Sequence, residues 1–228
     1  MTQRAAKRAA SDDARSDREL VYAARAGDVL AFDALFYRYK DGIFRLGVAV
    51  TKDPSAAEEI VIDTFARAHR ALLRLEPDGS LRPWLYRVAL NLSYNRRPRK
   101  NVVVGTLDDA TIEALESGER SPSRLAELAE LRHEVLAAID TLGAKHRTVV
   151  ILHYLNGLNL AEIAEIVDVP VGTVKSRLHY GLRRLRMWLS AHPELGFEPA
   201  DVPAATSGQM PLAPVERARG SVRERRPG

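Results

Sequence analysis

The sequence predicts an all-α protein of two small helical domains, joined by an acidic linker and flanked by disordered tails. Apolar residues recur at helical spacing, Pro and Gly mark the ends of those segments, and acidic residues gather between two basic helices. The expected parts are an N-terminal tail over 1–17, a first domain over 18–100, a linker over 101–121, a second domain over 122–192 and a C-terminal tail over 193–228.

The composition excludes several classes of function. The chain has 228 residues, a formal net charge of +4 and no cysteine, which rules out disulfides, thiolate metal sites and a cysteine nucleophile. No apolar run reaches the roughly 18 residues of a membrane span, and the N-terminus lacks the apolar core of a signal peptide. We therefore expect a soluble, cytoplasmic protein.

The first domain is predicted to contain three helices. Asp53 and Pro54 are typical of a helix start, and the helix that they open should run to about Leu75. Ser80 and Pro83 favour the start of the next helix, which Pro98 should end. The helix before Asp53 carries an apolar stripe at helical spacing, formed by Phe32, Leu35, Phe36, Tyr39, Ile43, Leu46 and Val50.

The third of these helices is basic and carries a second stripe beside its apolar one. Residues 81–100 contain six basic side chains and no carboxylate. Aromatic, amide and guanidinium groups in a row suit stacking on unpaired bases and reading of their edges. Alternatives remain open, since Trp84 can be a core residue and Asn91 a solvated surface amide. The stripe consists of Trp84, Arg87, Asn91 and Asn95.

Two helices near the end of the second domain predict a helix-turn-helix. Asn159 and Glu162 form a capping box for the shorter helix, and Asp168, Pro170 and Gly172 separate it from the longer one. In the longer helix one face is apolar, and the other presents basic groups without a carboxylate, which favours an anionic partner. The basic face and its flanks comprise Lys175, Arg177, His179, Arg183, Arg184 and Arg186.

In a helix-turn-helix, the first turns of the second helix enter the major groove. These turns offer Lys175, Ser176, His179 and Tyr180 to base edges, although Tyr180 can instead pack against its own domain. Residues 106–120 lie between the two basic helices and carry five carboxylates against one arginine, which is typical of a linker.

Four strings together resemble the extracytoplasmic-function sigma factors, the compact specificity subunits of bacterial RNA polymerase. The resemblance covers residues 18–192, and the strings occur in the order that the family shows. They are AGDVLAFDALFYRY (26–39), AAEEIVIDTFARAHRAL (56–72), LRPWLYRVALNLSYNRR (81–97) and AEIAEIVDVPVGTVKSRLHYGLRRLR (161–186).

The resemblance implies that the first domain is sigma region two. Its second helix would dock on a coiled coil of the polymerase β′ subunit through Glu59, Ile62, Asp63, Phe65 and Arg67. Alternatively, Asp63 and Arg67 form an ion pair with each other on the protein surface and do not contact polymerase. The following loop and helix would capture a base of the minus-ten element and help to open promoter DNA, through Asp78, Gly79, Ser80, Trp84, Arg87, Asn91, Asn95, Arg96 and Arg97.

By the same resemblance, the second domain is sigma region four, which rests on the β flap and reads the minus-thirty-five element. The linker would lie near the path of nascent RNA, an anti-sigma factor is a candidate partner, and no cofactor is implied. The expected contacts with the minus-thirty-five element are Thr173, Lys175, Ser176, Arg177, His179, Tyr180, Arg183 and Arg184.

Three positions depart from the family pattern. Ile62 stands where many members carry glutamine, so that contact with polymerase would be apolar here. Tyr180 and Gly181 stand where arginine and alanine are common, and the glycine should lower helix stability by about 1 kcal/mol relative to alanine. We therefore expect promoter sequence preference to be the property that can least be inferred from other members of the family.

Two other functional classes fit the sequence less well. An enzyme is not expected, because His146 and His153 have no third metal ligand at suitable spacing, and Glu58 and Glu59 are adjacent and so point in different directions. A helix-turn-helix regulator that binds an operator without polymerase is the alternative. It would explain residues 122–192 but would leave the basic stripe of residues 84–100 without a role.

Overall fold

The computed structural model describes residues 15–72, 81–96 and 134–192, and every regular element in those ranges is helical. Residues 1–14, 73–80, 97–133 and 193–228 lie outside the described residues, and with them the expected linker, both helix ends expected at Leu75 and Pro98, and the expected C-terminal tail. The elements are α1 (Asp17–Arg25), α2 (Val29–Thr51), α3 (Pro54–Ala71), α4 (Leu81–Arg96), a helical segment at 134–140, α5 (Ala144–Val150), a π-helical turn (Ile151–Leu155), α6 (Leu160–Val167) and α7 (Val171–Ser190).

Helix α1 begins before the boundary expected from the sequence. Ser16 caps it: its hydroxyl accepts from the Glu19 amide at 3.3 Å, and its amide donates to the Glu19 carboxylate at 2.7 Å. These bonds from Ser16 lower the pKa of Glu19. Asp17 accepts hydrogen bonds from Arg38, at 2.6 Å, and from Tyr39 of α2. Ser16 and Asp17 therefore belong to the folded part and not to the expected tail.

Helices α2, α3 and α4 form the core of the first half. Leu35, Ile43 and Leu46 of the predicted stripe are at most 1% exposed, which confirms the inward face of α2. Asp53 caps α3 as predicted, accepting from the amides of Ser55 and Ala56. Helix α3 can approach α2 closely because a Cβ on Gly47 would lie only 2.8 Å from that of Ala57.

A buried arginine organises the start of the second half. The Arg147 side chain donates to the carbonyls of Ile139 (3.4 Å), Asp140 (2.5 Å) and Leu142 (2.8 Å). These carbonyls lie at and beyond the end of the helical segment 134–140, where helix geometry leaves carbonyls short of backbone donors, although that of Ile139 also accepts from the Leu142 amide at 3.1 Å. Sequence reasoning missed Arg147, because an isolated basic residue does not reveal burial.

The helix-turn-helix forms with the predicted capping. The Asn159 side chain accepts from the amides of Ala161 and Glu162, each at 2.9 Å, and the Glu162 carboxylate accepts from the Asn159 amide at 2.8 Å. Asp168 ends α6 in the left-handed region, with φ of 51°, and Pro170 directly precedes α7. The predicted break between the two helices is confirmed.

The two halves pack against each other in this structure. Helix α4 contacts α6, and α2 contacts the π-helical turn. The buried apolar residues of both halves belong to one contiguous cluster. The sequence predicted two domains and a linker but not this contact. No helix among the described residues is long and apolar enough to cross a membrane.

Candidate nucleic-acid interface

Helix α7 presents a basic face to solvent and an apolar face to its own half. Val174, Leu178 and Leu182 are at most 3% exposed, so the helix is fixed in rotation by its apolar stripe. Thr173 and Arg177 are half-buried at the edge of the basic face. The exposed side chains of the basic face are Lys175, Ser176, His179, Tyr180, Arg183 and Arg184.

Tyr180 and Gly181, the two unusual positions of α7, have different surroundings. Tyr180 is 55% exposed, and its ring meets that of His146 edge-on, with centroids 6.4 Å apart. Gly181 is buried against α5, where an added Cβ would lie 2.9 Å from Cγ2 of Val150. The glycine therefore permits close packing of α7 on α5, and Tyr180 remains available to an outside partner.

The four residues of the predicted stripe lie on α4 but are not equally exposed. Asn91 and Asn95 are exposed, whereas Trp84 is half-buried and packs against the core. Arg87 is exposed as a residue, yet its guanidinium donates a hydrogen bond to the backbone carbonyl of Glu165 in α6. The part of the stripe nearest the start of α4 thus borders the helix-turn-helix.

A second arginine extends that border. Arg82 lies 3.0 Å from a carboxylate oxygen of Glu162, and its other terminal nitrogen donates to the carbonyls of Asn156 (3.0 Å) and Gly157 (3.2 Å). Beside it, burial raises the pKa of the Tyr86 hydroxyl. Arg82 is therefore a contact between the halves, a role that no local pattern in the sequence could indicate.

The residues expected to contact polymerase lie mainly on one exposed face of α3. Glu59, Ile62 and Arg67 are exposed, and Ile62 is a large apolar side chain with 66% of its surface in solvent. Phe65 corrects the prediction. It is only 5% exposed and its ring packs edge-on against Phe36 at 4.8 Å, so it is a core residue and does not belong to that face.

The acidic residues of this face are paired with α4. Asp63 forms an ion pair with Arg96, and Glu59 lies 3.5 Å from Nε of the same arginine. Asp63 thus pairs with Arg96 and not with Arg67, the local partner that the helical spacing allowed. Arg96 also belongs to the predicted DNA-binding set, so one side chain connects the two expected surfaces.

Four of the expected contacts with the minus-ten element, Asp78, Gly79, Ser80 and Arg97, lie outside the described residues. The part of the chain that the structure describes contains no cluster of three His, Asp or Glu side chains that could hold a metal ion.

Comparison with known families matches both halves of the chain. The family described as "Sigma-70 region 2" matches residues 35–102, and the family described as "Sigma-70, region 4" matches residues 138–187. The first match includes α3 and α4, and the second includes the helix-turn-helix.

Individual proteins give the same result. The ECF RNA polymerase sigma factor SigW of Bacillus subtilis is 33% identical over 172 residues, which cover 72% of this chain and 92% of SigW. The structure of CnrH in complex with the cytosolic domain of CnrY has a TM-score of 0.60 at 24% identity, covering 77% of this chain and 97% of CnrH. The sigma factor RpoE in complex with the anti-sigma factor NepR from Bartonella quintana has a TM-score of 0.54 at 19% identity, covering 71% and 98%. At these identities the two structures establish the shared fold.

Proposed function

The chain belongs to the extracytoplasmic-function sigma factors of bacterial RNA polymerase, and from that premise we propose how its surfaces divide the work of promoter recognition. The first half would read and open the minus-ten element, and the second would read the minus-thirty-five element. Core polymerase supplies the catalytic chemistry, so the proposal assigns no catalytic residue to this chain. Since core polymerase acts in the cytoplasm, the protein would act there too.

One observation carries the proposal: two helices, one in each half, present polar and basic faces that contain no carboxylate. Neither α4 nor α7 has an acidic residue along its length, although the whole chain contains 30 of them. A face free of carboxylates suits the closely spaced phosphates of DNA. Two such faces of different composition suit two different DNA elements.

The face of α7 is suited to reading paired DNA in the major groove. Lys175, Ser176 and His179 lie on the first exposed turns, where a recognition helix meets base edges. Arg183 and Arg184 lie further along, where phosphate contacts set the position of the helix. Tyr180 replaces the arginine that is common in the family, so base preference should differ from that of relatives with arginine there.

The α4 stripe is suited to unpaired bases. Asn91 and Asn95 expose amides that can donate to and accept from a base edge, and Trp84 offers an aromatic surface beside them. Arg87 would then contact the backbone or a base. We extend this surface to Asp78, Gly79, Ser80 and Arg97 from the family resemblance alone.

The exposed face of α3 would dock on the polymerase β′ coiled coil. We assign Glu59, Ile62, Asp63 and Arg67 to this contact and leave out Phe65, which is buried. The second half would rest on the β flap. An anti-sigma factor is proposed as a further partner, because the relative RpoE was solved with one.

Run-off transcription with purified core polymerase tests the proposed function. The chain should produce discrete transcripts from genomic fragments that core enzyme alone does not transcribe. Equal transcription with and without the chain would exclude a sigma factor. The alternative, an operator-binding regulator, predicts DNA binding of similar affinity with and without core polymerase, whereas the proposed function predicts promoter binding that depends on it.

A further inference from the structure

The two positions of α7 that depart from the family pattern, Tyr180 and Gly181, lie beside the same residue of α5. The ring centroid of Tyr180 is 6.4 Å from that of His146, and the ring planes meet at 64°. A Cβ added to Gly181 would lie 3.6 Å from the Cβ of His146 and 3.7 Å from its carbonyl oxygen. His146 thus contacts the part of α7 where this chain is unusual.

The contact between the two rings depends on how closely α7 lies on α5. An alanine at position 181 would place its Cβ 2.9 Å from Cγ2 of Val150, so the helices would have to move apart or Val150 would have to shift. Because Gly181 has no side chain, α7 can approach α5 until the rings of His146 and Tyr180 meet. The two departures from the family pattern are therefore connected through the packing.

His146 is held firmly by its position in α5. Its amide donates to the Gly143 carbonyl at 2.9 Å, in the first turn of the helix. Its neighbour Arg147 is only 7% exposed and donates to three carbonyls of the preceding segment. The His146 side chain itself is half-buried. The imidazole can therefore serve as a fixed support for a ring on α7.

Tyr180 is supported in this way and still open to a partner. Its side chain is 55% exposed, and the ring of His179 lies 5.8 Å away on the same helix, with the ring planes at 78°. An exposed tyrosine ordinarily exchanges among rotamers, and ordering it on binding lowers affinity. Since His146 restricts the ring from outside the helix, the ring is already oriented before DNA binds.

The chemistry of a tyrosine differs from that of the arginine common at position 180. An arginine can form two hydrogen bonds with the edge of guanine in the major groove. A phenol ring cannot form this pair of bonds. Its apolar surface instead suits the C5 methyl group that thymine presents in the major groove.

We propose that Tyr180 selects a thymine of the minus-thirty-five element through the C5 methyl group, and that His146 is a positioning residue for this selection. The inference rests on the proposed function, since it places α7 in the major groove of that element. His146 contacts no base in this arrangement. It acts by holding the Tyr180 ring in one orientation.

Removal of single methyl groups from the DNA tests the selection. A promoter library first identifies a sequence that the full chain binds in complex with core polymerase. Each thymine of the minus-thirty-five element, on either strand, is then replaced by uracil, which keeps the hydrogen-bonding groups and lacks the methyl. One replacement should weaken binding about fourfold, which corresponds to the burial of one methyl group. Tyr180→Ala should abolish this uracil effect, and Tyr180→Phe should retain it.

The same measurement separates a positioning role of His146 from a merely structural one. His146→Ala should reduce the effect of that uracil to less than about twofold, because the ring of Tyr180 is no longer held in place. His146→Phe, which keeps a ring, should retain the parental effect. The matched control is His192→Ala, which removes a ring stacked at 4.0 Å on Trp188 of the same helix. Trp188 lies about 12 Å along α7 from Tyr180, so this control should also retain the parental effect.

Each outcome decides one part of the proposal. Circular dichroism establishes that the variants are folded, and a general loss of structure would weaken binding to all sequences without changing the uracil effect. A parental uracil effect in folded His146→Ala would overturn the positioning role. If no uracil effect depends on Tyr180, the whole inference is wrong, while promoter binding by the complex would still support the proposed function. A complex that binds no promoter would overturn both.

Discussion

Arg96, near the end of α4, forms an ion pair with Asp63 of α3, and its Nε lies 3.5 Å from the Glu59 carboxylate. The helix assigned to polymerase docking is thereby tied to the helix assigned to unpaired DNA. The pair spans 33 residues of sequence, so it fixes the end of α4 against α3 in the folded chain. A substitution on the docking face of α3 should therefore affect the DNA-facing residues of α4.

The first prediction concerns this pair. The Arg96 and Asp63 side chains are 28% and 45% exposed, so solvent screening should limit their coupling to about 0.5–1 kcal/mol of unfolding free energy. A double-mutant cycle with Arg96→Gln and Asp63→Asn, followed by urea unfolding, measures it. Arg67→Ala is the control, because it changes the docking face without touching Arg96. Additive effects of Arg96→Gln and Asp63→Asn would mean that the pair does not form in solution.

A second prediction separates base reading from phosphate contact on α7. Lys175→Ala should lower promoter binding by about 1–3 kcal/mol, and only on sequences that carry the preferred base, if the lysine contacts a base edge. Arg183→Ala should weaken binding to all promoters by a similar factor, and should reduce its dependence on salt. Holoenzyme binding to a promoter library at two salt concentrations makes the comparison. If both variants alter sequence preference in the same way, the division of roles is wrong.

The third prediction tests the exposed amides of α4. Asn91→Ala and Asn95→Ala should leave unfolding free energy nearly unchanged, because both side chains are exposed, and should slow open-complex formation on duplex promoters. A premelted template should restore the part of activity lost through strand opening, but not the part lost through base reading. Parental opening rates with normal polymerase affinity would identify the stripe as an ordinary solvated face.

A fourth prediction follows from the close packing at Gly181. Gly181→Ala gains about 1 kcal/mol of helix propensity, but its Cβ would meet Val150 at 2.9 Å, and overpacking costs about 1–3 kcal/mol. We expect the substitution to be net destabilising in the parent chain. In a Val150→Ala background, where the obstructing methyl groups are absent, it should become stabilising. Thermal unfolding of the parent, the two single variants and the double variant measures the effect of Gly181→Ala in both backgrounds. An equal effect in the two backgrounds would disprove the packing explanation.

The fifth prediction concerns the buried guanidinium of Arg147. Arg147→Met keeps much of the side-chain volume but removes the guanidinium donor from three carbonyls, of which that of Ile139 keeps the Leu142 amide, so unfolding free energy should fall by about 2–4 kcal/mol. Arg184→Met, which removes an exposed guanidinium from the same half, should change it by no more than about 0.5 kcal/mol. Hydrogen exchange of the amides at 134–142 locates the effect. Equal stability of the two variants would show that Arg147 does not anchor this segment.

Local patterns determined the secondary structure well. The Asp53–Pro54 pair and the capping box of Asn159 and Glu162 predicted where α3 and α6 begin, because a cap bonds amides only two or three residues away. The apolar periodicity of α7 predicted which side faces solvent, because a single buried stripe fixes the rotation of a helix. Both depend on interactions within one or two helical turns.

Errors and omissions occurred where distant residues decide the environment. Phe65 was expected at the polymerase surface but lies in the core, because two aromatic rings from α2 pack against it. The start of the first domain was set too late, at residue 18, and the helix α1 was not predicted, because Asp17 is held by partners about twenty residues away. Arg147 gave no local signal, since its carbonyl partners belong to another helical segment.

The sequence by itself determined the class of fold, the order of the helices and the two acid-free faces, since each follows from residue spacing within a single element. Only the tertiary structure decided which neighbours those faces have. Arg87 reads from the sequence as a DNA contact, yet here it meets a carbonyl 78 residues away, and Arg82 meets Glu162 at a separation of 80. Such pairings are set by how the halves pack, and no periodicity along the chain encodes them.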